Sequence, residues 1–144
     1  AEKTLILTDG RNVSALAALV DALDGFSEQK RSIVYSAEED RRDVDIARQG
    51  ALLGEKFDRV VLCEVDEAGR RPKGEVIRIL RSGMAESCRA REVLEIHDWS
   101  QAVDAAWNCL GRGELLVVQA ASIARTVRKV QALMGLEPSE LNVA

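Results

Sequence analysis

Ser32–Leu62 reads SIVYSAEEDRRDVDIARQGALLGEKFDRVVL and contains one whole strand–loop–helix–strand unit. Ser32–Ser36 has the β-branched and aromatic content of a short buried strand. Ala37–Arg42 is a strongly charged loop. From Asp43 the apolar period lengthens: Ile46, Gly50, Leu53 and Phe57 recur at helical spacing, with Ala47 and Gly54 beside them. Arg59–Cys63 is a second apolar run, too short for a helix and rich in β-branched residues, so it reads as a strand. A strand, a helix of roughly three or four turns and another strand make a parallel βαβ unit. Ligands of open α/β sheets meet the loops at the strands' C-terminal ends, which puts the charged Glu38–Asp45 segment at the expected working edge.

The same alternation continues on both sides. Thr4–Thr8 reads as a first strand turned at Asp9-Gly10, and Asn12 or Ser14 caps a helix whose inward face is Leu16, Leu19, Val20 and Leu23. Downstream, Glu64–Gly74 is a charged loop without a periodic apolar face. Glu75–Arg81 is a helix burying Val76, Ile79 and Leu80, ended or interrupted at Ser82-Gly83. Val93–Ile96 is a fourth strand, His97–Ser100 turns the chain, and Asp98 or Ser100 caps a helix carrying Val103, Ala106, Trp107 and Leu110 inward. Leu115–Gln119 is a fifth strand, and Ile123, Val127, Val130 and Met134 form the last stripe. Strands alternating with helices predict a single three-layer α/β domain over residues 1–144, with a mostly parallel sheet and flanking helices. The strand order is not written in this pattern.

Composition narrows the function classes. The chain has 144 residues, 47% hydrophobic and 31% charged, with a formal net charge of -4. That is enough apolar content for a core and gives no general nucleic-acid footprint. No stretch approaches the apolar length of a membrane span, and no signal peptide is visible. Three cysteines, Cys63, Cys88 and Cys109, are widely spaced and lack CxxC spacing, as expected of reduced structural thiols in a cytoplasmic protein. His97 is the only histidine and has no partner at a metal-binding spacing, so no metal site is expected. There is no GxxxxGK[ST] and no GxGxxG after a strand.

The polar residues that follow the strands are the candidate site. Glu38, Glu39, Asp40, Arg41, Arg42, Asp43 and Asp45 form the densest ionisable cluster. Arginines there suit phosphate or carboxylate, and acids suit an amine or Mg2+. The same residues also read as a solvated loop followed by acids that favour a helix N-terminus. Asp9, Arg11 and Asn12 follow the first strand and face the same edge, or serve only as turn and cap. Glu64, Asp66, Glu67, Arg70 and Arg71 extend the rim after the third strand, or form an exposed loop.

These stretches resemble the C-terminal domain of the Mur ligase family, and most of all that of the cyanophycin synthetases within it. The family opens this domain with a DYxHNP-like motif. Here Thr8-Asp9-Gly10-Arg11-Asn12-Val13 keeps Asp9 and Asn12, with Arg11 where His is usual and Val13 where Pro is usual. The cyanophycin synthetases resemble GDRRDEDIRRQGELLGxxFDRVIL, matched by Glu39–Ile46, Arg48-Gln49-Gly50, Leu52-Leu53-Gly54 and Phe57–Leu62. Gly113–Ala121 matches a GDLLVIQAD-like segment, with Ala121 where Asp is common.

The resemblance implies a Rossmann-like fold and ATP-dependent amide-bond formation, in which a carboxylate is activated as an acyl phosphate and attacked by an amine. In that family a central domain holds the P-loop and most ATP and Mg2+ contacts, while the C-terminal domain closes over it and positions nucleotide and amine. The resemblance makes Arg41 and Arg42 phosphate or carboxylate contacts, and Asp9, Asn12 and Asp43 positioning residues; Arg11 joins them by its place after the first strand, and Glu64, Asp66 and Arg70 are a secondary rim by theirs after the third. No residue of this chain takes a catalytic role. ATP and Mg2+ belong to the complete ligase, and the isolated chain is expected to carry neither. The expected partners are a ligase ATPase domain, a split-ligase subunit or a second copy, with no nucleic acid and no membrane. The departures at Arg11, Val13 and Ala121 leave a non-catalytic interaction or regulatory module as the alternative, and an enzyme with new chemistry as a third reading.

Overall fold

The computed structural model describes residues 3–9, 12–26, 30–64, 71–86, 89–119 and 122–135. Among them are five strands: β1 (Thr4–Thr8), β2 (Arg31–Tyr35), β3 (Arg59–Glu64), β4 (Glu92–Asp98) and β5 (Leu115–Gln119). They alternate with α1 (Val13–Leu23), α2 (Asp43–Lys56), α3 (Glu75–Gly83), α4 (Trp99–Cys109) and α5 (Ile123–Met134), and one 3-10 turn, Asp24–Phe26, follows α1. The sheet order is β1-β5-β2-β3-β4, and every neighbouring pair is parallel.

The three inner strands are apolar on both faces because helices cover both sides, the condition under which parallel sheets form. Period-two alternation divides their side chains. Ile33 and Tyr35, Val60 and Leu62, and Leu115 and Val117 face one layer with Leu16, Val20, Ile46, Leu53, Ile77 and Leu80. Val34, Val61, Cys63, Leu116 and Val118 face the other layer with Trp99, Ala102, Val103, Ala106 and Val130. Thus α1, α2 and α3 lie on one face, and α4 and α5 on the other.

The expected β2–α2–β3 unit is present as one contiguous piece, with Ser32 opposite Arg59 and Tyr35 opposite Leu62. The inward face of α2 is Ile46, Gln49, Gly50, Leu53 and Gly54, and Phe57 is buried at its C-cap. Arg31 opens β2 fully buried. Its Nη2 donates to the Leu23 carbonyl at 2.6 Å, at the carbonyl end of α1, where a cation is favoured.

Three expectations change. First, β4 is longer than Val93–Ile96, and no turn separates it from α4: Asp98 ends the strand and its side chain accepts from the Gln101 amide at 2.9 Å, so α4 begins directly at Trp99. Second, β2 begins and ends one residue earlier than expected. Third, α3 runs through Ser82 and Gly83 rather than stopping at Arg81. Ser82 stays helical by returning its hydroxyl to the Ile79 carbonyl at 2.6 Å.

This order fixes where a ligand crevice falls. The chain steps outward from β2 to β3 to β4 through helices on one face. It then returns through α4 on the other face to insert β5 between β1 and β2. The helices leaving β1 and β2 lie on one face and the helix leaving β5 lies on the opposite face. The connections therefore part at the C-terminal end of β5, the topological switch point at which open α/β sheets take ligands.

Candidate functional site

The floor of the crevice is polar and buried. The Ser36 amide, just past the last β2–β5 pair, donates to Gln119 Oε1 at 3.2 Å. The Gln119 carbonyl accepts from Trp99 Nε1 at 3.2 Å, so one residue joins the end of β5 to β2 and to α4. Beside it Tyr35 donates its hydroxyl to Gln49 Oε1 at 2.6 Å within the core. Gln49 is not fully satisfied: its Nε2 is buried and has no hydrogen-bond partner among the described residues, and such an unbonded buried group costs about 1–3 kcal/mol.

At the rim after β1, Asp9 is exposed, and the Asn12 side chain accepts from the Ala15 amide at 2.9 Å. Asn12 therefore serves as the N-cap of α1. After β5, Ser122 caps α5 in the same way, and the Arg125 guanidinium stacks 5.0 Å from the centre of the Trp99 ring. Arg11, Asp66 and Arg70, expected at this edge, lie outside the described residues, as do Cys88 and Ala121.

The β2–α2 loop carries the expected arginines. Arg41 pairs with Glu38 at 2.7 Å and Arg42 with Asp45 at 2.9 Å, each within its own segment. The hydrogen bonds that Arg42 donates to Asp45 hold the Arg42 guanidinium above its ordinary pKa and, in return, hold Asp45 below the usual carboxylate range. Both pairs are solvent-facing, and such pairs exchange partners at little cost. Asp43 does not face outward alone: it pairs with Arg71 Nη2 at 2.7 Å.

Arg71 joins the two loops. Its Nε donates to the Glu39 carbonyl at 2.8 Å and its Nη2 to the Arg41 carbonyl at 2.8 Å. Its backbone amide donates to Glu39 Oε1 at 3.3 Å, and its Nη1 lies 3.8 Å from Glu75 in the first turn of α3. Sequence reading placed Arg71 only in an exposed rim. Nothing in GRRPKG marks it as the residue that bonds a loop some thirty positions away.

Glu64 is likewise committed. Its Oε1 accepts from the Gly74 amide at 2.7 Å, and its Oε2 lies 3.3 Å from His97 Nδ1. Gly74 has φ +87, a conformation open to glycine, and it lets the chain enter α3 directly above that carboxylate. Among the described residues, no three His, Cys, Asp or Glu side chains gather in a way that could hold a metal ion, and no helix is long and apolar enough to cross a membrane. Cys63 is fully buried, and burial, with Asp98 and Glu64 adding to it, pushes its thiol up to about 12.

Known proteins share this fold. Cyanophycin synthetase of Nostoc sp. is 28% identical over 102 residues, covering 71% of this chain, and the chain spans only 11% of that protein's length. Among solved structures, UDP-N-acetylmuramoyl-L-alanyl-D-glutamate–2,6-diaminopimelate ligase superposes with a TM-score of 0.65 at 15% identity, over 83% of this chain and 24% of that one. Folylpolyglutamate synthase of Thermotoga maritima does so with a TM-score of 0.64 at 18% identity, over 95% of this chain and 30% of that one. These likenesses show a shared fold. The family model described as Mur ligase, glutamate ligase domain matches residues 1–122, so the switch-point crevice and its loops are those of a family member: the chain belongs to the Mur ligase family, through its glutamate ligase domain.

Proposed function

We propose that this chain is the substrate-positioning and closing C-terminal domain of an ATP-dependent amide ligase resembling cyanophycin synthetase, and that its site is complete only against a central ATPase domain. The observation that carries this reading is the pair of exposed guanidiniums, Arg41 and Arg42, on a loop at the C-terminal edge of the sheet in a chain without a P-loop.

The residues fit one part of the reaction. Two acids at this edge are already engaged by residues outside the Arg41–Arg42 pair: Asp43 by Arg71, and Glu64 by the Gly74 amide and His97. We therefore assign the Mg2+ ligands to the ATPase domain. ATP, when bound there, supplies the phosphoryl group that activates a carboxylate. Arg41 and Arg42 exchange their carboxylates for the ligand's anionic end, orienting it and neutralising its charge. Closure of the sheet edge over the ATPase domain excludes water from the activated group. The partner is that domain, in the same chain or in a split-ligase subunit, and the compartment is the cytoplasm.

The second reading is a stand-alone, non-catalytic interaction or regulatory module derived from the ligase domain. It is favoured by Arg11, Val13 and Ala121 standing where the family motifs differ, and by the pairing of Arg41 and Arg42 within their own loop. Calorimetric titration of a non-hydrolysable ATP analogue with Mg2+ separates the two. Weak binding that tightens on adding a Mur-type central domain supports the ligase reading. Stable self-association, with no nucleotide effect in either condition, replaces it with the second.

A further inference from the structure

We propose that Arg71 is the positioning residue of this site, a clasp that sets the β2–α2 loop so that Arg41 and Arg42 are pre-arranged for an anionic ligand. The inference rests on the reading above that this loop meets the ligand.

Arg71 reaches this loop from some thirty positions away in the chain. Within it, the Arg41 amide donates to the Glu38 carbonyl at a long 3.4 Å, and α2 begins at Asp43 without a side-chain cap from Arg42. The carbonyls of Glu39 and Arg41 both need donors, and Arg71 serves both from one guanidinium, whose Nη2 also meets Asp43 while Nη1 lies towards Glu75. Its side chain is only 16% exposed, whereas those of Arg41 and Arg42 are 45% and 77% exposed. One arginine is thus consumed by structure and two are left facing solvent.

The chemistry of the fork is specific. A guanidinium presents donors in fixed directions within one plane and can satisfy two carbonyls and a carboxylate together. An ammonium is a point charge on a shorter reach and cannot span them. A cation beside the first turns of α2 and α3 is opposed by both helix dipoles, and each helix supplies an acid there, Asp43 and Glu75, to offset this. The clasp therefore joins the entrance of α2 to that of α3 and orders the loop before any ligand arrives. Ordering in advance removes from binding the cost of fixing two long side chains and their backbone.

The test uses the native protein at full length with its ATPase region or partner subunit in place, and a non-hydrolysable ATP analogue with Mg2+ as probe. Arg71→Ala, Arg71→Lys, Asp43→Asn and the Arg41→Ala/Arg42→Ala double variant are compared by amide hydrogen exchange and by analogue affinity. Arg71→Ala is expected to speed exchange over residues 38–46, leave the sheet amides of Ile33 and Val117 protected, and weaken the analogue about tenfold. Arg71→Lys keeps the charge without the fork and is expected to recover less than half of that loss on a logarithmic scale. If Arg71→Ala fails to fold, Arg71→Lys and Asp43→Asn answer the same question. Unchanged exchange over 38–46 in the folded variants overturns the clasp. Weakened binding in the double variant with full affinity in the Arg71 variants also overturns it, while the ligase reading stands. Full affinity in the double variant removes the loop from the ligand, so the ligase reading of this loop fails and the positioning role falls with it.

Discussion

Gly50 of α2 lies directly against the carbonyl of Leu80 in α3: a Cβ on Gly50 would sit 2.8 Å from that carbonyl carbon and closer still to its oxygen. The relation is reciprocated one turn along, where a Cβ on Gly83 would sit 2.8 Å from the Ala47 carbonyl carbon. The two helices touch backbone to backbone because each offers a glycine where the other offers a carbonyl.

Gly50→Ala and Gly83→Ala are each expected to destabilise the domain by about 1–3 kcal/mol, because a rigid backbone cannot yield as a side chain would. Alanine's better helix propensity, worth about 1 kcal/mol, recovers only part of the clash. Gly25→Ala, where nothing lies within 4 Å of the added carbon, is expected to be neutral or slightly stabilising. Thermal melts of the three variants decide it. Equal midpoints for Gly50→Ala and Gly25→Ala would contradict the close approach.

Gln119→Leu is expected to cost about 1–3 kcal/mol, since the volume is similar but the buried Ser36 amide loses its acceptor. The Trp99 bond to the residue 119 carbonyl survives this change. Urea denaturation gives the total, and faster exchange of the Ser36 amide identifies the cause. A variant with unchanged Ser36 exchange would show that the bond does not hold the crevice floor.

Asp58 sets part of the acid limit. Burial pushes its carboxyl up, but the Arg31 amide at 2.8 Å and the Arg89 guanidinium at 3.3 Å outweigh that and leave it below its ordinary 3.8. A pKa depressed on folding contributes stability that is present above the unfolded value and lost as pH falls through the folded one. Wild type is thus expected to lose more stability than Asp58→Asn as pH drops below about 4, since asparagine keeps the amide bond and has no charge to lose. Urea midpoints followed down the acid range measure the difference, and parallel curves would count against it.

The thiols should separate cleanly. Cys63 is buried and its thiol is pushed up to about 12, whereas Cys109 is exposed at the end of α4. Under native conditions iodoacetamide is expected to label Cys109 and leave Cys63 untouched until the chain is unfolded. Site mapping by mass spectrometry checks this. Labelling of native Cys63 at the same rate as Cys109 would mean that the β3 end is open.

The sequence is most informative where a short apolar run adjoins helical spacing. Ile33 to Leu62 passes from a β-branched run to helical spacing and back to a second such run, and the structure has that strand–helix–strand order, with β2 shifted by one residue. β4 was underestimated because it is an edge strand: Glu92, Leu94, Glu95, His97 and Asp98 are exposed, so the run lacks the apolar continuity of the inner strands. Trp99 reads as part of a turn because its burial depends on Gln119, a contact between distant segments. The position of β5 was invisible for the same reason. In the site, Arg41 and Arg42 could be named from composition, but their pairing with Glu38 and Asp45 is conformational. Arg71 could not be told from its neighbour by type or spacing.

The central place of β5 has a consequence for synthesis. The ribosome delivers β1 first, yet its sheet partner, from Leu115 to Gln119, emerges more than a hundred residues later. Until then β2, β3 and β4 can pair in the order in which they appear, while Thr4–Thr8 waits with its backbone groups unmatched. Closing so long a span is slow and favours late, all-at-once completion. A nascent chain halted before Leu115 therefore carries β1 without a sheet partner, and β5 is the strand that joins β1 to β2.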